Sequence, residues 1–463
     1  MRREDARVNE EDFIEPRGGY VKSYGCQMNA YDSSRIAGLL EEAGYSAREN
    51  AGDAEVIVLN TCHIREKASD KVFSELGQIR QLKQERAARG QRTIVGVAGC
   101  VAQAEGAEIL RREAAVDFVV GPQSYHRLHE ALRNASAGER TLLVNFETEE
   151  KFQDLKRRPT FSPTRVSAFV TVQEGCDKFC SFCVVPYTRG AEISRAAHDI
   201  VAEADELARN GTRDISLLGQ NVNAYLWNGQ EGEWTLAGLF ERLSQIPSLH
   251  RLRYTTSHPR DMHDDLIVAH RELPKVMPYL HLPVQSGSDA ILQAMNRKHT
   301  ARDYLATIER VRAARPDIAI SSDFIVGFPG ETEADFQSTL RLVREVGFAN
   351  AFSFKYSPRP GTPSADWADH VPEEIKKRRL QELQELLEAQ RQSFNAACIG
   401  GKLDVLFEKP GRHPGQIVGR TPYMQSVQVD APESLIGQNR EVIIERLGSN
   451  SLFGRMFDQP EGA

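Results

Sequence analysis

Residues 166–190 read VSAFVTVQEGCDKFCSFCVVPYTRG. A β-branched apolar run ends at a turn glycine, and Cys176, Cys180 and Cys183 follow within eight positions. A closed structural zinc site needs a fourth ligand, and His198 lies fifteen residues beyond Cys183 in a helical stretch. An electron-transfer cluster is also usually held by four cysteines. Three thiolates at these spacings can instead wrap one face of a [4Fe–4S] cube. One iron is then left open to an exogenous ligand.

Five further strand-like runs follow, each separated from the next by a helical stretch. They are DISLLGQN, LRYTTSH, YLHLPVQSG, AISSDFIVGFPG and AFSFKYSP. Six βα repeats predict a barrel or an open partial barrel. Ligand-binding residues collect at the carboxyl ends of such strands, where Gly219, Gln220, Gln285 and Ser286 stand. Asp323 and Gly327 belong to the fifth run. Glycine at 327 allows close approach of a backbone to a ligand.

Upstream, GYVKSYG, AEVIVLN, RTIVGVAG and VDFVV alternate with helical stretches, which predicts a parallel sheet covered on both faces. Cys26, Cys62 and Cys100 each lie just past a strand, 36 and 38 residues apart. That spacing delivers three thiols to one carboxyl edge, where open α/β sheets bind ligands. Three unrelated buried cysteines are the alternative. Downstream of a charged helix, short strands and turns from Gly401 predict a small all-β barrel.

The expected organisation is an acidic tail at 1–18, an α/β domain at 19–134 and a linker at 135–161. A partial (β/α)6 barrel with its trailing helix follows at 162–397, then a β-barrel at 398–459. The chain has 463 residues, formal net charge −7 and seven cysteines. This excludes a broadly basic nucleic-acid binder but not local patches. No apolar run approaches a membrane span and the charged N-terminus lacks a signal-peptide core, so a cytoplasmic protein is expected. In a reducing compartment, clustered cysteines point to metal or catalysis.

The CxxxCxxC loop after the first barrel strand resembles the radical S-adenosylmethionine (SAM) signature. Phe182 matches the aromatic often found beside its third cysteine. The whole pattern from about Gly19 to Met456, with CDKFCSFCVVPYTRG, HLPVQSGS, SSDFIVGFPGET and FKYSPRPGTP, is similar to the tRNA methylthiotransferases. Their C-terminal module is a TRAM-like barrel.

That resemblance implies two [4Fe–4S] clusters, one on Cys176, Cys180 and Cys183 and a second on Cys26, Cys62 and Cys100. The first would bind SAM, with Phe182, Gly219, Gln220, Gln285, Ser286, Asp323 and Gly327 as candidate contacts. The second would hold the sulfur to be inserted. One SAM would methylate that sulfur and another would supply a 5′-deoxyadenosyl radical. The expected product carries a methylthio group at C2 of an isopentenylated adenosine beside the tRNA anticodon. Implied partners are the tRNA anticodon stem-loop, an electron-donor protein and a sulfur donor, with the chain acting as a monomer and no membrane involved.

Sibling families act on a threonylcarbamoylated adenosine or on an aspartate of a ribosomal protein. An RNA-binding iron–sulfur protein without SAM chemistry is the alternative of another class. Arg189 and Arg195 could meet an anion. The run KKRR at 376–379 reads either as a tRNA contact or as a solvated helix face. Phe407 and Tyr423 could stack on bases but read better as packing the small C-terminal barrel, and Cys398 reads as a buried small hydrophobe.

Overall fold

A computed structural model describes residues 17–62, 68–145, 166–229 and 232–457. The tail at 1–16 and most of the linker lie outside these residues. The chain forms two compact units, 1–162 and 163–463.

In the first unit, strands β1 (Arg17–Ser23), β2 (Tyr45–Ala47), β3 (Val56–Thr61), β4 (Ile94–Gly99), β5 (Phe118–Val120) and β6 (Thr141–Leu143) form one sheet. Its order is β2-β1-β3-β4-β5-β6, all parallel. Every residue of β3 and β4 is buried, as expected of central strands covered on both faces. Helices α1 (Gln27–Glu42) and α4 (Leu128–Ala137) cover one face through Ile36, Leu40, Leu128 and Leu132. Helices α2 (Ala68–Ala88) and α3 (Cys100–Arg112) cover the other through Leu76, Ile79, Val101 and Ile109. Two boundaries move. Arg17 and Gly18, placed in the tail, open β1 because they pair with Tyr45 and Ser46. Residues 135–143, placed in the linker, finish α4 and supply β6, whose Thr141 and Leu143 are buried at the sheet edge.

In the second unit all six expected barrel strands are present. Ser167–Thr171, Asp214–Leu218 and Arg251–Thr255 form one parallel sheet, and Tyr279–His281, Ala319–Val326 and Asn350–Lys355 form another. A parallel bridge between Leu252 and Val276, just before the fourth strand, helps bring the two sheets together. Apolar side chains from strands and surrounding helices make one continuous core. A closed five-stranded barrel spans Lys402–Met456 in the order Lys402–Pro410, Gln416–Arg420, Ser426–Asp430, Leu452–Met456, Asn439–Leu447. Val405, Phe407, Val427, Val442 and Ile444 fill it, so Phe407 is core. Cys398 packs against the same core.

Two arginines at the amino end of the barrel strands join this small barrel to the large one. Arg251, 1 % exposed, donates to the carbonyls of Arg420 (2.5 Å) and Asp404 (2.9 Å) and to Asn439 Oδ1 (2.8 Å). Arg253 bonds Asp214 Oδ2 at 2.9 Å and the carbonyls of Pro422 and Thr421 at 2.7 and 3.1 Å. The guanidinium fork satisfies several carbonyls left over at strand ends.

The KKRR run is neither wholly solvated nor a free basic patch. On the helix Glu373–Ala396, Lys376 and Arg379 are buried while Lys377 stays exposed. Arg379 Nη1 lies 2.7 Å from Glu331 Oε1, which also accepts the Gly327 N–H at 2.9 Å. Burial pushes the Glu331 carboxyl above its ordinary range, and the Gly327 N–H and Arg379 pull it back. Arg379→Met leaves that carboxylate buried without its cation. The expected loss is ~3–5 kcal/mol in denaturant titration. Lys377→Met, on the exposed side of the same helix, is expected to change stability by less than ~0.5 kcal/mol.

Candidate active site

The triplet loop leaves the first barrel strand and is held by groups distant in sequence. Gln220 Oε1 accepts the Gly175 N–H at 2.6 Å, and Gln173 Oε1 accepts from the backbone of Gln220 and Asn221 at 3.0 and 3.1 Å. Ser181 bonds the carbonyls of Met295 (3.1 Å) and Ala294 (2.8 Å) and accepts from Ser364 through its own carbonyl. Asn296 Nδ2 donates to the Phe179 carbonyl at 2.8 Å. Lys178 Nζ reaches Asp261 at 2.7 Å, and Asp261 in turn accepts from Asn221 Nδ2 at 2.8 Å. Backbone and polar side chains therefore shape the loop independently of its thiols.

Within this frame Cys180 is buried, while Cys176 and Cys183 are half-buried. Burial pushes the Cys176 thiol up to about 11 and the Cys183 thiol to about 12, with the Cys180 charge adding to both. Three thiolates crowded into a buried loop demand a cationic group among them. Arg297, 5 % exposed, supplies one local countercharge: its Nη1 stands 3.5 Å from Cys180 Sγ, and its Nη2 donates to the Pro283 carbonyl. Val185 N–H also points at Cys183 Sγ, at 3.5 Å.

In the first unit, Cys26, Cys62 and Cys100 follow β1, β3 and β4, three adjacent strands of one sheet. Cys26 caps the amino end of α1 and Cys100 opens α3, where the helix dipole favours a thiolate. The Cys62 and Cys26 sulfurs stand 3.9 Å apart. Asparagines tie the strand ends together: Asn60 Nδ2 donates to the Asn29 carbonyl and to Ser33 Oγ, both at 2.9 Å. Among the described residues no three ligating side chains close on one point as a mononuclear ion requires. Both donor sets, soft and thiolate-only, fit a [4Fe–4S] cluster.

The other expected contacts fall into different places. Gln220 is spent on the loop backbone, and Gly219 makes room for the Gln173 side chain. Ser286 is fully buried, with its hydroxyl 3.3 Å from Thr339 Oγ1 and 3.2 Å from Ser288 N, so it packs the helix Glu333–Val346 against the strand end. Gln285, at φ 76°, pairs with the fifth strand through its backbone. Gly327 sits at φ 71°, and a Cβ there would collide with the Lys376 stem. Phe182 packs against an apolar group that contains Ile291, Met295, Phe328 and Tyr356. Asp323 lies 3.6 Å from His281 Nε2. Arg189 is buried 4.0 Å from Glu174, and Arg195 pairs with Glu203. Neither arginine is a surface anion site. The sequence reading missed Arg297, Asn296 and Ser364, which lie far from the triplet along the chain and carry no motif of their own.

Three family descriptions match successive parts of the chain. "Uncharacterized protein family UPF0004" covers residues 19–121, "Radical SAM superfamily" 170–343 and "TRAM domain" 396–457. The middle match contains the open three-cysteine loop. The chain carries a radical SAM domain. Together the three have the architecture of MiaB-like methylthiotransferases.

Among solved structures, the radical SAM methyltransferase TsrM from Kitasatospora setae, with cobalamin and a [4Fe–4S] cluster bound, is 12 % identical. It has a TM-score of 0.55, covering 76 % of this chain and 77 % of that one. The same enzyme with tryptophan and a SAM analogue bound gives 14 % identity and a TM-score of 0.56, covering 76 % and 75 %. The cobalamin-dependent SAM radical enzyme OxsB gives 13 % and 0.51, covering 81 % of this chain and 56 % of its own. At these identities the likeness is one of fold. Among the described residues no helix is long and apolar enough to cross a membrane.

Proposed function

We propose that this chain is a tRNA methylthiotransferase, placing a methylthio group on C2 of an isopentenylated adenosine beside the anticodon. The observation that carries this reading is the pair of three-cysteine sets. Each stands at the carboxyl edge of its own parallel sheet, in a chain that ends in an RNA-type barrel. A single redox centre has no use for the second set.

Cys176, Cys180 and Cys183 would hold one [4Fe–4S] cluster, and Cys26, Cys62 and Cys100 the other. When bound, these groups and SAM supply one-electron reduction, a 5′-deoxyadenosyl radical and the transferred sulfur. The chain's own residues do the rest. Arg297 offsets thiolate charge next to Cys180. Gln220, Ser181 and Asn296 fix the loop so that its open side keeps one orientation. On the small barrel, Lys409, Arg412 and Arg420 line a cavity of about 400 Å³ with Gln428, Ser426 and Glu408, whose carboxylate pairs with Arg420 at 3.2 Å. These cations would meet phosphates, although the stretch from Gly401 has seven Lys or Arg against eight Asp or Glu. RNA contact there is local.

Mass spectrometry of nucleosides from total tRNA, comparing a strain lacking the gene with its parent, tests the substrate. The expected result is loss of 2-methylthio-isopentenyladenosine with isopentenyladenosine accumulating. An unchanged profile would sink this assignment and turn the search to the threonylcarbamoylated adenosine or the ribosomal-protein aspartate.

A further inference from the structure

We propose that the inner face of the sixth barrel strand is a stacking platform for a purine base of the substrate RNA, with Phe352 and Phe354 as its surface. His281 and Asp323 form its polar border. This rests on the RNA substrate proposed above.

The strand Asn350–Lys355 is an edge strand, pairing with the fifth strand alone among the described residues. Its exposure pattern is inverted. Phe352 is 50 % and Phe354 53 % exposed, whereas Ala351 between the core and Phe352 is half-buried against the barrel core. Two half-exposed phenylalanines on one strand form an apolar patch of the kind that marks a binding surface.

The register shows which face they occupy. Phe352 pairs with Asp323 and Phe354 with Ile325. Asp323 faces His281, whose Nδ1 is 3.1 Å from Ser321 Oγ and whose ring meets Phe352 edge-on at 6.4 Å between centroids. The alternate residue Phe324 points the other way, into the core and against Phe348. Phe352, Asp323, His281 and Ser321 thus share the face opposite the helix layer. Ile325, in the same row as Phe354, packs with the apolar group that holds Phe182 of the triplet loop. The aromatic face therefore runs toward the cysteine loop.

Its chemistry suits a base. Aromatic rings stack on any π-face, and a carboxylate with an imidazole offers both an acceptor and a donor to a purine edge. A protein segment is a poorer fit: a flat strand face has none of the deep pockets that anchor side chains at protein interfaces. The TRAM match in the same unit also favours nucleic acid.

The test uses the full, cluster-reconstituted chain and an anticodon stem-loop hairpin with isopentenyladenosine at the target position and 2-aminopurine at the nucleotide beside it. Binding should quench its fluorescence through stacking. Phe352→Ala and Phe354→Ala should each relieve the quenching and weaken hairpin binding by ~5–150-fold, the usual range for losing one stacked base. Phe352→Tyr should restore the quenching. Quenching that survives both alanine variants overturns the platform while leaving the RNA reading intact. Variants that melt several degrees lower without RNA also overturn it, because the face would then be packing against the chain itself. A wild-type chain that binds no hairpin removes the RNA substrate first and the platform with it.

Discussion

Replacing Cys176, Cys180 and Cys183 all by alanine should abolish formation of 5′-deoxyadenosine from SAM under anaerobic reduction. The same variant should retain about four of about eight irons after reconstitution, because one of the two proposed [4Fe–4S] clusters would lose all its ligands. The argument is structural as well as chemical. The loop keeps its shape through Gly175, Ser181, Lys178 and Asn296, none of which uses a thiol. Thermal unfolding should therefore change little. The complementary variant, with Cys26, Cys62 and Cys100 replaced, should lose the other half of the iron. It should still release 5′-deoxyadenosine while forming no methylthio product. Continued SAM cleavage by the first variant, or its loss in a well-folded second variant, would show the two roles to be wrongly divided.

Gly25→Ala should do much of the same damage through one methyl group. Gly25 sits at φ 126° directly before Cys26, and a Cβ there would overlap the Cys62 side chain. The backbone strain alone costs about 1–2 kcal/mol. The collision adds a specific effect, because Cys62 must move away from Cys26. The expected readout is loss of about half the iron and of the methylthio product. Gly138→Ala is the control. It sits at φ 86° at the end of α4 with open space around it, so it carries the strain without the collision. Full iron in Gly25→Ala, or equal iron loss in Gly138→Ala, would sink the argument.

Much of this protein was legible from local pattern. The apolar runs at 166–172, 214–218 and 319–326 become strands because β-branched and aromatic side chains pack well on a pleated sheet, and their spacing admits little but βα repeats. The placement of six cysteines just past strand ends is equally local. The first unit's adjacent strands then explain how Cys26, Cys62 and Cys100 reach one edge despite their separation.

What the sequence could not determine was the use of individual polar and aromatic side chains. Lys376 and Lys377 are identical letters, yet one is buried beside Gly327 and the other is in water. Gln220 and Ser286 stand where ligand contacts gather, and their side chains also hold the loop backbone and a neighbouring helix. Arg297 reaches Cys180 across 117 positions. Phe352 and Phe354, in an apolar strand, are half exposed. Periodicity reports how a segment repeats, because backbone geometry is local. Which partner a long side chain finds, and whether an apolar face is covered, depends on groups brought together only when the barrel forms, and tertiary structure alone decided those.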